Sequence, residues 1–125
     1  MEQKTDDGGP LPPSRGQVRT VLPEQFQGAW FGDVTRRDSA KPRYPIRLII
    51  VSGYIGDRIA NPFYPTLNVQ ATWTLVAAWE DEIHVDERIL AGSRGEVLIS
   101  VMMQRGGRVL HMSAPQVLAI LNREN

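Results

Sequence analysis

The chain has 125 residues, 42% hydrophobic and 22% charged, which fits one domain with a core of moderate size rather than a disordered segment. Lys plus Arg equals Asp plus Glu at 14 each, so no net field draws the chain to nucleic acid or to an anionic membrane, and neither partner is expected. The absence of cysteine excludes disulfides, thiolate metal sites and a cysteine nucleophile together.

Residues 1–22 hold Asp6, Asp7, Gly8, Gly9, Pro10, Pro12 and Pro13 and hardly an apolar side chain, a composition that does not offset its own ordering entropy. They read as a flexible tail, with the domain over 23–125; the PLPP run reads as solvated leader ahead of a docking motif. The opening residues carry no basic-then-apolar signal pattern, and the longest apolar stretch, 46–51, is interrupted by Arg47 and too short to span a bilayer. A cytoplasmic location is the expectation.

From Gly28 onward, short apolar or alternating runs are cut by turn signals at close spacing, the pattern of an antiparallel all-β domain. Strands are predicted near 28–35, 44–52, 58–63, 69–79, 83–90, 97–104 and 108–113. The connectors are 52–57 (SGYIGD), 91–96 (AGSRGE) and 105–107 (RGG), the last a tight hairpin in which glycine supplies positive φ. The segment 114–125 changes period: Val117, Leu118, Ile120 and Leu121 recur at helical spacing after Pro115, with Ser113 as N-cap, which predicts a C-terminal helix on an open end or edge of the sheet. The fold class is therefore an all-β, mainly antiparallel small barrel or barrel-like sandwich of about seven to eight strands, plus that helix.

Alternation assigns the faces. In 82–89, Ile83, Val85 and Ile89 face one way, and Glu82, His84, Asp86 and Arg88 face the other, towards solvent. The run 97–103 is apolar on both faces, which suits a strand central under the helix and, alternatively, an interface between copies of the chain.

The ordered set Leu22-Pro23, Gly28-Ala29-Trp30-Phe31-Gly32, Tyr44-Pro45-Ile46-Arg47-Leu48, Gly53 and Gly56, Tyr64-Pro65-Thr66-Leu67, and Glu87-Arg88-Ile89 with Gly92 resembles the C-terminal sensor-like domain of actinobacterial serine/threonine protein kinases, over about residues 22–123. The resemblance implies a domain that lies outside the membrane in those kinases and shows G-x-W-x-G, Y-P-x-L and E-R-I motifs in this order. Such domains typically carry one cysteine two residues after the Leu of Y-P-x-L and another in the loop after E-R-I. Here Val69 stands at the first position and 92–96 has none, which fits a Cys-free version in a reducing compartment. A weaker likeness is to the lipocalin start, where the Trp of G-x-W plugs one barrel end and a late arginine packs across it; Arg108 and Arg123 are the candidates for that arginine.

Chemistry-bearing residues are few. His84 and His111 lie on separate strands, and Glu80, Asp81, Glu82, Asp86 and Glu87 stand close to the first, a set that reads as a solvated edge before it reads as a metal site. There is no G-x-S-x-G elbow, and the glycine pairs are too short to cradle phosphate. No catalytic residue, metal or cofactor is expected, and the chain does not read as an enzyme. Trp30 and Trp73 read as core filling. In Ala60-Asn61-Pro62-Phe63-Tyr64-Pro65 two prolines break the ladder and hold aromatic rings at a rim. Tyr54, Phe63, Tyr64 and Pro65 are thus the expected contacts for a protein partner or small apolar ligand. The function expected is a non-enzymatic binding or interaction module; the alternatives are a homo-oligomeric scaffold, a lipocalin-like small-molecule binder and a His-based metal protein.

Overall fold

A computed structural model of the chain describes residues 16–37, 43–90 and 96–124. The alternating runs form the strands β1 (Val18–Arg19), β2 (Gly28–Arg36), β3 (Tyr44–Ile50), β4 (Arg58–Ala60), β5 (Gln70–Trp79), β6 (Glu82–Leu90), β7 (Glu96–Gly106), β8 (Val109–Ser113) and β9 (Val117–Arg123), with a 3₁₀ turn at Glu24–Phe26. Every neighbouring pair is antiparallel, and from β2 to β9 each strand pairs with the next in the chain. β9 then pairs with β2, which closes an eight-stranded up-and-down barrel; β1 is an extra strand on the end of β5. Closure removes the free edges that a sheet of this size would otherwise expose.

The C-terminal segment corrects one expectation. Residues Val117–Arg123 are strand, not helix. Ala119 and Leu121 are buried while Leu118 and Ile120 are exposed, so the true period is two. Both faces happen to be apolar, and that mimics helical spacing over so short a run. Tertiary pairing decides it: without β9, β2 and β8 would both present bare edges. Ser113 accordingly ends β8 instead of capping a helix.

Closure demands close approach at one point. A Cβ on Gly32 would lie 2.5 Å from the Ile120 carbonyl oxygen and 2.8 Å from a Leu121 methyl, so only glycine lets β2 and β9 meet there. At the hairpin joining β7 and β8, Gly107 has φ +68° and precedes Arg108, which fits a two-residue turn with glycine first. On β5, the register shifts between Leu75 and Ala77, a bulge that turns Val76 outward.

The core fills the barrel. Trp30, Val34, Ile46, Leu48, Ile50, Trp73, Leu75, Ile83, Val85, Met103, Leu110 and Leu121 are all buried on inward positions. The two-sided apolar run 97–103 is half core: Val101 and Met103 point in, while Leu98 is 61% exposed on the outside. Chain preceding the predicted domain start is already engaged, since Val18 and Arg19 pair with β5 and Leu22 is buried. The PLPP run and the connector 91–95 lie outside the described residues. Among the described residues, no helix is long and apolar enough to cross a membrane.

Candidate functional site

The two barrel ends differ in chemistry. At the end where β2 starts and β9 finishes, Trp30 and Phe26 are fully buried, and the Trp30 indole N–H donates to the Phe26 carbonyl at 3.0 Å. Arg123 lies over the Trp30 ring at 4.2 Å, and Arg105 approaches it at 5.2 Å. Both arginines then donate to the 3₁₀ turn: Arg123 to the carbonyls of Gln27 at 2.6 Å and Gln25 at 3.1 Å, Arg105 to that of Gln25. Partial burial beside the like charge of Arg123 lowers the pKa of Arg105. Gly28 has φ +121°, and a Cβ there would stand 2.5 Å from the Arg123 guanidinium, so the glycine makes room for the stack. This end is plugged. Arg123 is thus the late arginine that lies across the tryptophan, while Arg108 is an exposed turn residue.

At the other end β2 finishes and β3 begins, and four polar side chains sit at inward positions. Arg36 is in phase with Trp30, Gly32 and Val34; Tyr44 with Ile46, Leu48 and Ile50; Glu87 with Ile83, Val85 and Ile89. Tyr64, held by the turn from 64 to 67, joins them. They border a cavity of about 590 Å³ whose remaining wall is chiefly apolar, including Val69, Ile89, Ile99, Met112 and Val117. A few convergent polar groups in a largely apolar concavity of this size is the usual make-up of a small-molecule site.

The pair at its wall is Glu87 and Tyr64, 5% and 6% exposed, with the Tyr64 hydroxyl donating to the Glu87 carboxyl. Burial pushes the Glu87 pKa up, and the Tyr64 hydrogen bond, with a smaller pull from the Trp73 indole across the β5–β6 ladder, holds it down. The indole N–H of Trp73 is buried and closes no hydrogen bond of ordinary length and angle, so its effect on Glu87 is that of a dipole nearby. Burial, then the Glu87 charge, raises the Tyr64 pKa far above the phenol range. The same two causes, opposed by Arg36, raise that of Tyr44, whose ring meets Tyr64 edge-on at 5.8 Å and 65°. Arg36 makes no hydrogen bond or ion pair among the described residues, and its Nε is buried without an acceptor. The barrel thus keeps a cation and a buried acid at one end without joining them.

No family model, curated protein or solved structure matches this chain.

The expected rim residues are not brought together. Tyr64 is buried in the cavity wall, while Phe63, 59% exposed, turns to the outer surface and bridges to Arg47. Pro65 lies on the outer surface against a shallow depression shared with Arg47. Tyr54, 66% exposed, is at the plugged end, where it bridges to Val21. His84 and His111 are separated by β7: His84 pairs with Glu82 at 2.6 Å and meets the Trp79 ring at 4.9 Å with the planes tilted by 58°, while His111 opposes Gln104. Glu82, expected on a wet face, is 4% exposed because His84 and Gln104 both hydrogen-bond its carboxylate.

Arg36 is the site residue that sequence reasoning passed over; Tyr44 entered it only within the ordered motifs, and Glu87 only as part of a solvated edge. The signal was present for Glu87: it stands in the inward phase of Ile83, Val85 and Ile89, where a carboxylate is costly unless it is paired. Arg36 carries the same mark behind Trp30 and Val34.

Proposed function

We propose that this protein is a non-enzymatic binding module whose ligand is a small molecule seated at the Arg36–Glu87 end of the barrel. The observation that carries the reading is the asymmetry of the two ends. One is filled by Phe26 and Trp30 and tied by two arginines, while the other surrounds about 590 Å³ with four inward polar groups. Among the expected functions this favours the lipocalin-like small-molecule binder, and the up-and-down connectivity with Arg123 over Trp30 supports it further. Kinship with kinase-associated sensor domains rests on the ordered motifs of the chain, and a cytoplasmic location on opening residues without a signal pattern and apolar runs too short to span a bilayer. The test is titration of the purified chain with a neutral solvatochromic dye such as Nile red. Saturable one-to-one binding that is lost in Ile99→Trp, which fills the cavity, supports the reading; no binding at all defeats it.

A second reading, the homo-oligomeric scaffold, has its own observation. On the outer face of β3, β2 and β9, Phe31, Ile49 and Ile120 are 43%, 65% and 53% exposed, with Phe63 beside them. Light scattering across a dilution series decides it, a constant monomer mass removing the scaffold.

A further inference from the structure

We infer that the ligand is an amphipathic anion, with an oxyanion head at Arg36 and Tyr44 and an apolar body against Ile89, Ile99, Met112 and Val117. This rests on the reading of the cavity as a binding site and adds the charge and shape of its occupant. Arg36 ends β2 on an inward position and lines the cavity, yet has no acceptor among the described residues, and its Nε is buried. A guanidinium Nε shut off from water and left without an acceptor is a standing cost, and a ligand oxyanion beside it relieves that cost with charge-assisted hydrogen bonds.

Glu87 does not answer that need. It is the one acid among the described residues of the lining, its Oε2 accepts from the Tyr64 hydroxyl, and no hydrogen bond or ion pair joins it to Arg36. Nor does it invite a cation, since a cationic head drawn to Glu87 would be desolvated close to Arg36. Tyr44 supplies the second donor: it is half-buried, faces the cavity from β3 within the fields of both Glu87 and Arg36, and its hydroxyl has no hydrogen-bond partner among the described residues. The rest of the wall offers side chains that gain only from apolar contact, which requires a hydrocarbon or aromatic body behind the head.

The experiment displaces Nile red from the full chain with three ligands of one chain length, decanoate, decanol and decyltrimethylammonium, each below its micelle threshold. Decanoate is expected to compete at a concentration lower than decanol by about tenfold or more, the ammonium being the poorest. In Arg36→Gln the advantage of decanoate over decanol should collapse to near unity, and in Arg36→Lys it should survive in part. Arg47→Gln, on the outer surface, should leave the ratio as it is. Folding of each variant is checked by its circular dichroism and melting. Equal competition by decanoate and decanol in the wild type, or an undiminished ratio in Arg36→Gln, overturns the anion inference while leaving the binding site standing. Absence of Nile red binding overturns both.

Discussion

The Tyr64 hydroxyl donates to the Glu87 carboxyl inside the barrel, between two residues 23 positions apart that are both almost completely buried. The contact joins the turn before β5 to the middle of β6. A carboxyl placed there by an apolar alternation costs stability unless something accepts that role, and Tyr64 is what the fold provides.

The pair predicts a pH dependence. The folded pKa of Glu87 is raised above its ordinary 4.5, chiefly by burial. Its contribution is therefore fully present below about pH 4.5 and lost as pH rises through the folded pKa, at about 1.4 kcal/mol for each unit of elevation. Glu87→Gln should flatten this part of the profile, measured as urea midpoints between acid and neutral pH against wild type. A profile of unchanged slope contradicts it.

Tyr64→Phe removes the donor and leaves the carboxyl buried without it. A loss of about 1–3 kcal/mol is expected, and in the Glu87→Gln background it should be smaller. A double-mutant cycle in denaturant reads the coupling directly.

At the plugged end, Trp30→Ala should cost about 3–5 kcal/mol, because a fully buried ring with a satisfied indole leaves a cavity under Arg123. A loss under about 1 kcal/mol would show that the plug carries little of the stability.

Gly32→Ala tests closure. The added methyl meets the Ile120 carbonyl, a backbone atom that moves only with β9. About 1–3 kcal/mol of destabilisation is expected, with faster hydrogen exchange along Val117–Arg123. Gly56→Ala is the comparison: φ is +97° there but nothing stands within 4 Å, so only local strain is felt and β9 exchange stays slow.

The strands were legible because alternation and turn chemistry agree along most of the chain. The predicted span 69–79 became Gln70–Trp79 and 108–113 became Val109–Ser113. The last strand was not legible, since Val117, Leu118, Ile120 and Leu121 place apolar groups on both faces and only the partners β2 and β8 distinguish the two periods. Trp30 was read as core filling, and it is fully buried while Phe31 turns outward; the need for Gly28 lies in Arg123, far away in sequence.

The site was harder to see. Prolines 62 and 65 drew attention to their neighbours as one rim, but a strand break sends adjacent side chains to different surfaces: Phe63 outward and Tyr64 inward. Arg36, Tyr44 and Glu87 come from three strands, so their convergence depends on the order in which the barrel closes. Each was individually marked by being polar in an apolar phase.

The central claim is that the Arg36–Glu87 end holds the ligand, and methyl NMR during a decanoate titration tests it most directly. Saturable shifts confined to Ile89, Ile99, Val101, Met112 and Val117, with Leu48, Ile50 and Leu110 unmoved, are the predicted result. Shifts centred on Ile49, Val51 and Ile120 of the outer face, or none that saturate, would contradict it.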